Sequence, residues 1–250
     1  MRAALPPRSR HYEEVTLVTY TFPQDESEFD FIEFAIRQSW KCLGKLKTVI
    51  IADRMTETLR AFQAAASDDV DVQVEPLLKV GSIASMSSDC IERLYSRFST
   101  PHCLIIQDDG FPLRDNLDEF LGKYDYIGAP TIRDIPVQVI VDLLRSECLN
   151  GGFSLRSRRI CRDAARQWKF WRHFIKPGSH AHIEDVFYTK TACFNPLYRL
   201  RNRFPSSKTA RRFSLPDFDG VVDIRTIEPK PFGVHGSCAA WQLMAQSAQR

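Results

Sequence analysis

Three groups of residues offer this chain chemistry. The first is Gln107-Asp108-Asp109-Gly110, directly after the apolar run Cys103-Leu104-Ile105-Ile106. Two adjacent carboxylates at the end of a buried run are costly unless a cation, an Arg or Lys, or water neutralises them. Hard divalent cations prefer oxygen ligands, and Mg²⁺ often takes one or two carboxylates together with substrate phosphates. The competing reading is a turn, since Asp109-Gly110 shortly before Pro112 is ordinary turn chemistry. The second group is Glu184-Asp185, which follows His180-Ala181-His182-Ile183. Acids there either complement a helix N-terminus or supply a general base. The third is His235, between Val234 and Gly236, where glycine permits close backbone approach. A lone histidine of this kind is more often structural or exposed than a ligand. His180 and His182 lack a carboxylate at matching spacing, and a polar loop is expected around them.

These residues need a frame. Val15 to Tyr20 reads as a strand, and Phe29 to Cys42 has apolar residues at helical spacing. Thr48 to Ala52 is a second strand ending in Asp53, followed by a helix over Thr56 to Ala66. Val70 to Val74 alternates as a strand with one solvated side. Ser85 to Phe98 is a third helix, leading to the strand before Gln107. Strand and helix alternate through this half, so a mostly parallel α/β sheet with covering helices is expected. In such sheets ligands sit at the carboxyl ends of the strands. Gln107 to Asp109 lie at such an end, and so do Thr19, Tyr20 and Asp53, as plausible nucleoside contacts. No Gly-x-Gly-x-x-Gly follows the first strand and no P-loop is present, so neither phosphate-binding turn is available. Further on, Tyr124 to Ala129 reads as a strand and Arg158 to Phe170 as a helix. Asn150-Gly151-Gly152 reads as a turn or a close-approach loop, and residues 195 to 220 as a basic loop. One domain over residues 13 to 240 is expected, with 1 to 12 and 241 to 250 as flexible tails.

The bulk numbers exclude some classes. The chain has 250 residues, 44% hydrophobic, with a net charge of +3 built from charges of both signs. That balance does not point to nucleic acid. No apolar run approaches a membrane span, and the basic start of the chain lacks the apolar core of a secretory signal. The seven cysteines are odd in number and form no Cys-x-x-Cys pair, which argues against a zinc site or a disulfide framework. Reduced, buried thiols in a cytoplasmic setting are the expectation.

The second half carries short motifs in a fixed order. They are Gln107-Asp108-Asp109-Gly110-Phe111, Tyr124-Asp125-Tyr126-Ile127-Gly128-Ala129-Pro130, Asn150-Gly151-Gly152-Phe153-Ser154-Leu155-Arg156, Glu184-Asp185-Val186-Phe187 and Phe232-Gly233-Val234-His235-Gly236. Together they resemble a bacterial glycosyltransferase-like family of GT-A fold, largely without assigned substrates. Glu-Asp-Val after a Gly-Gly-Phe segment is also similar to the arrangement in inverting β-1,3-type glycosyltransferases. The resemblance implies a Rossmann-like, mostly parallel sheet with a less regular acceptor-side half. It implies a nucleotide-sugar donor, with Gln107, Asn150, Gly151 and Gly152 near it. It implies Mn²⁺ or Mg²⁺ on the diphosphate, held by Asp109, then Asp108, with His235 completing the shell. Asp185, or next Glu184, would be the base that activates an acceptor hydroxyl. The acceptor would be a glycan or lipid-linked glycan, such as a bacterial surface glycan or glycolipid precursor.

The chain departs from the common Asp-x-Asp pattern, because Gln107 replaces the first carboxylate with an amide. That keeps open a catalytically silent nucleotide-sugar-binding protein. The basic run from Arg199 to Arg212 reads first as a solvated face. Its alternative is peripheral contact with anionic lipid, at the inner face of the membrane. RNA readers need aromatic platforms, which are not evident there, and no nucleic-acid partner is expected.

Overall fold

The computed structural model describes residues 12–22, 28–66, 70–77, 82–130, 149–176, 179–215 and 230–236. The expected tails and Cys148 and Cys238 lie outside these, apart from Tyr12. The first half alternates as expected: β1 (Val15–Thr21), α1 (Glu28–Leu43), β2 (Thr48–Ala52), α2 (Glu57–Ala66), β3 (Val72–Pro76), α3 (Ile83–Glu92), α4 (Leu94–Arg97) and β4 (His102–Ile106). After β5 (Gly110–Pro112) come β6 (Tyr126–Pro130), β7 (Leu149–Ser157) and α5 (Arg158–Trp171). The remainder is α6 (Glu184–Thr189), α7 (Pro196–Arg201), α8 (Ser207–Phe213), β8 (Ser214–Leu215) and β9 (Gly233–His235).

Six strands form one sheet in the order β3-β2-β1-β4-β7-β6. The pairings β1–β2, β2–β3 and β1–β4 are parallel, and β7 runs antiparallel to both β4 and β6. The chain moves outward one way from β1 to β3, then returns to β1's other side as β4. Between β1 and β4 lies the switch point where open α/β sheets bind ligands. Thr19 pairs with Ile106, so Gln107 leaves β4 level with Tyr20.

Side chains on β1 divide by the two-residue period of a strand. Val15 and Leu17 enter a core with Phe29, Ile32 and Ile36 of α1 and Leu59 and Phe62 of α2. Val18 and Tyr20 enter the opposite core, with Ile91, Leu94, Ile160, Trp168 and Phe187. Helices therefore cover both faces. A small sheet, β5-β9-β8, adds a lobe on the α1 side. Phenylalanine rings fasten it: Phe153 of β7 stacks on Phe213 at 5.1 Å and on Phe232 at 5.8 Å. Burying such a side chain stabilises by roughly 1.5–3 kcal/mol, and this cluster fixes where β9 delivers His235.

Four expectations need correction. The helix expected from Ser85 to Phe98 breaks at Arg93, whose backbone leaves the helical region. The reset final turn sends Arg97 to Asp89 at 2.6 Å and to Glu75 at 2.7 Å. Residues 195 to 215 are not a loop but α7, α8 and β8, with 216–229 outside the described residues. Asn195 caps α7 ahead of Pro196, and Ser206 caps α8; capping of this kind starts even short helices. Asn150-Gly151-Gly152 is not a turn, because β7 runs through it. His182 does not sit in a polar loop: it is buried, stacked on Trp168 at 5.3 Å and bonded to Ser88 at 2.9 Å.

Candidate active site

Gln107 and Gly110 exchange two backbone hydrogen bonds, at 3.0 and 3.1 Å. Asp108 and Asp109 are thus the two corner residues of a tight turn. The turn reading is correct locally, and it also serves the ligand reading. The chain after the turn becomes β5, which pairs antiparallel with β9, Gly110 opposite His235. The Gly236 N–H donates to the Asp109 carbonyl at 2.9 Å, closing the junction. As a result His235 Nε2 lies 3.5 Å from Asp109 Oδ1 and 3.4 Å from Gln107 Oε1. His235 Nδ1 is buried with no hydrogen-bond partner among the described residues. Asp108 occupies the exposed corner. Partial desolvation of its carboxyl, and then the Asp109 charge, raise its pKa.

This donor set is one carboxylate, one imidazole and one amide oxygen. Among the described residues no three His, Cys, Asp or Glu side chains converge as a metal cluster. The set fits a hard divalent cation as a partial shell, to be completed by substrate oxygens. Of the candidate ligands, Asp109 and His235 are the two the structure brings together, with Gln107 beside them.

Gly151 and Gly152 form the wall between this cluster and a second one. A Cβ on Gly152 would fall 2.1 Å from Gln107 Oε1 and 2.2 Å from His235 Nε2. One on Gly151 would fall 1.8 Å from Glu184 Oε1 and 2.8 Å from an Arg156 guanidinium nitrogen. Neither glycine is among those with positive φ, so close approach is what excludes a side chain. Pairing with β6 changes register between Gly128–Ser154 and Pro130–Leu149. Such irregularities re-aim a strand next to functional sites. Asn150 Oδ1 accepts from the Gly152 N–H at 2.7 Å and steadies the irregular stretch.

The second cluster centres on Arg156, which the sequence reading did not single out. It is fully buried on β7. Its guanidinium lies 4.8 Å from the ring centres of both Tyr126 and Tyr188. It donates to Glu184 Oε1 and the Gly151 carbonyl, each at 3.1 Å, and to Ser154 Oγ at 3.0 Å. The available signal was an arginine within the apolar stretch Phe153-Ser154-Leu155-Arg156, flanked by motifs rich in tyrosine and acid. Burial of an arginine demands an acid partner, and Glu184 is that partner. Asp185 stands next to it, less buried, and accepts from the Val186 N–H at 2.6 Å. Burial first, and the Glu184 charge second, push its pKa up to about 7. Glu184 and Asp185 thus separate into different roles: one is taken by the arginine, the other is a carboxyl poised near neutrality.

The nucleoside candidates fare unevenly. Thr19 is buried within β1, and its hydroxyl has no hydrogen-bond partner among the described residues. The Tyr20 hydroxyl donates to Asp89 at 3.1 Å and so belongs to the Asp89–Arg97 network. Asp53 stands half-buried past the end of β2, one strand farther from Gln107. Cys90, Cys103, Cys161 and Cys193 are buried free thiols, and the Cys90 sulfur accepts from Arg156 at 3.0 Å.

The stretch that holds both clusters, residues 77–235, matches the family model described as protein of unknown function, DUF5672. The chain belongs to that family. No curated protein matches its sequence. Among solved structures, galactosyltransferase LgtC in complex with donor and acceptor sugar analogues is 12% identical, with a TM-score of 0.53 over 93% of this chain and 94% of that one. An active-site mutant of LgtC, also 12% identical, gives 0.56 over 94% and 95%. The apo glycosyltransferase GlyE of Streptococcus pneumoniae TIGR4 is 11% identical, with a TM-score of 0.51 over 88% of this chain and 53% of that one. The mannosyltransferase PcManGT of Pyrobaculum calidifontis is 11% identical with a TM-score of 0.44 over 73% of this chain; the chain spans about half, 53%, of it. At such identities the likeness shows fold, and the fold of this DUF5672 member is the GT-A type expected from its motifs. No helix of the described residues is long and apolar enough to cross a membrane.

Proposed function

We propose that this protein is a glycosyltransferase that moves a sugar from a nucleotide-sugar donor to a hydroxyl acceptor by inversion. One observation carries the reading. Beside the carboxyl end of β4, two side-chain-free residues of β7, Gly151 and Gly152, separate an Asp109–His235–Gln107 cluster from a carboxyl with a pKa near 7. A diphosphate and its sugar need that adjacency, because the leaving group and the attacking hydroxyl lie on opposite sides of one carbon.

Asp109, His235 and Gln107 would hold Mn²⁺ or Mg²⁺, with Asp108 in support. The bound ion would supply Lewis-acid neutralisation of the leaving diphosphate. Asp53 and Asn150 would contact the donor along the strand ends, with the buried Thr19 behind them. The bare backbone of Gly151 and Gly152 lets the sugar approach. Asp185 takes the proton from the acceptor oxygen; a base is most effective with a pKa near the working pH. Glu184 acts by holding Arg156 and by raising Asp185. The acceptor class, a glycan or lipid-linked glycan, follows from the motif resemblance.

Calorimetry with nucleoside diphosphates, with and without Mn²⁺, tests the donor half. Wild type should bind one of them in a metal-dependent manner, and Asp109→Ala or His235→Ala should remove that dependence while the fold persists. Unchanged metal-dependent affinity in Asp109→Ala would overturn the assignment. Metal-dependent binding with no donor turnover would favour the silent binding protein that Gln107 allows.

Gly152→Ala tests the wall. The added methyl must displace Gln107 and His235, so metal-dependent affinity should fall about 10–100-fold, as for other disturbed ligand supports. The melting temperature should fall by a smaller measure, because the end of Gln107 can swing away while the His235 ring must turn aside. A normal metal response in Gly152→Ala would show that the clusters are not abutted as described.

A further inference from the structure

We propose that the face made by the end of α5, the 3-10 turn Thr191–Phe194 and α7 docks on an anionic lipid bilayer. Large apolar side chains stand in solvent there: Phe170 is 58% exposed, Phe174 69%, Leu197 68% and Leu200 81%. The aromatic rings are contiguous. Phe170 lies 5.0 Å from Phe174 and 5.4 Å from Trp171, and Trp171 lies 6.0 Å from Phe194, ring centre to ring centre. Phe194, Leu197 and Leu200 then follow at every third residue along the turn and α7. Soluble proteins seldom expose such patches without a partner.

Charge selects the partner. From Ala164 to Pro216 the chain has eleven Lys or Arg and two acids, Glu184 and Asp185, both in the candidate site. Lys169, Arg172 and Lys176 are exposed beside the phenylalanines; Arg201 and Arg203 flank Leu200 in sequence and are also exposed, though they lean on Asp163 and Asp125. A second copy of this chain would set two basic rims against each other, an arrangement that costs affinity. A nucleic acid would use the charge but leave Leu197 and Leu200 in water. An anionic bilayer satisfies both: aromatic and leucine side chains enter the acyl boundary while lysine and arginine stems reach the headgroups. The alternative reading of Arg199 to Arg212, a lipid contact, thus moves its centre to the aromatic ridge between residues 170 and 200.

The patch also lies toward the site. β7 ends at Ser157 opposite His102, at the start of β4. From there the 14 residues of α5 rise about 21 Å, more than the roughly 17 Å of five-residue β4. Along α5, Trp168 stacks on His182, two residues before Glu184 of the candidate site. A docked molecule would present its site to a membrane-borne acceptor; that consequence rests on the proposed function, and the docking does not.

The test is sedimentation of the full chain with phosphatidylcholine vesicles, with and without phosphatidylglycerol. Wild type should partition onto the phosphatidylglycerol vesicles and lose that binding in high salt. Phe170→Ser/Phe174→Ser should weaken partitioning about tenfold or more. Lys169→Gln/Arg172→Gln should weaken it by about fivefold for each charge removed. All four positions are solvent-facing, so melting temperatures should stay near wild type. Absence of wild-type binding to anionic vesicles would overturn the proposal, as would full binding by both variants. A wild-type dimer in sedimentation equilibrium that Phe170→Ser/Phe174→Ser dissolves would give the face to a second copy instead.

Discussion

Asp185→Asn should lose transfer by about 10²–10⁴-fold, the usual worth of a general base, and should be more stable than wild type at and above neutral pH. Both effects have one cause. The Asp185 carboxyl is raised from 3.8 to about 7 by burial and by Glu184. Between those values the folded protein holds a proton that the unfolded chain has released. Wild-type stability therefore falls as pH rises through that window, and the loss is complete above about 7. Asparagine keeps the shape and carries no charge, so it avoids the loss. The gain should be roughly 1–4 kcal/mol near pH 8 and should close toward pH 4. Thermal melts at both pH values measure it, and turnover at saturating donor measures the rate. Glu184→Gln should lose less turnover, because Glu184 acts through Arg156. A near-normal rate in Asp185→Asn with a large loss in Glu184→Gln would move the base to Glu184. A melting difference that does not depend on pH would refute the raised carboxyl.

Arg156→Met should be the most destabilising single change in the site region. It leaves Glu184 buried without its cation, and removing one partner of a buried pair costs about 3–5 kcal/mol. The guanidinium also lies against both Tyr126 and Tyr188, whose rings pack on each other at 5.7 Å, and a desolvated cation–π contact adds about 2 kcal/mol. Against a typical total of about 5–15 kcal/mol, such a loss leaves little margin. Arg156→Lys should recover only part of it, since an ammonium cannot present a planar fork to Glu184, Gly151 and Ser154 together. Arg156→Met/Glu184→Gln should be more stable than Arg156→Met alone, because no charge is then left unpaired. Urea midpoints of the three proteins decide. A double variant no better than Arg156→Met would show that packing, not charge, is the main loss.

How much of this was legible in the residues follows from the range of each interaction. Period-two and period-3.6 patterning is local, so β1 to β4, α1, α2 and α5 are readable within a residue or two of their ends. Caps are local too, and Asn195-Pro196 and Ser206 could have announced α7 and α8; the density of basic residues obscured them. The break at Arg93 is not local. It accompanies Arg97 meeting Asp89 and also Glu75, which arrives from β3, a separate segment.

The site divides in the same way. By itself the sequence determined which residue types could do chemistry and that Gln107 to Asp109 follow a buried strand, because composition and periodicity are written in order along the chain. It also carried the ordered motifs from which a GT-A fold is expected. Only the tertiary structure decided that His235 meets Asp109, since residues 126 apart join through the β5–β9 ladder. Only it decided that Gly151 and Gly152 are required by space rather than by a turn. And only it separated Glu184 from Asp185: a buried arginine from β7 reaches one carboxylate of an adjacent pair, and desolvation raises the other. Burial and charge pairing depend on what folds against a residue, and that is set by contacts between segments far apart in the chain.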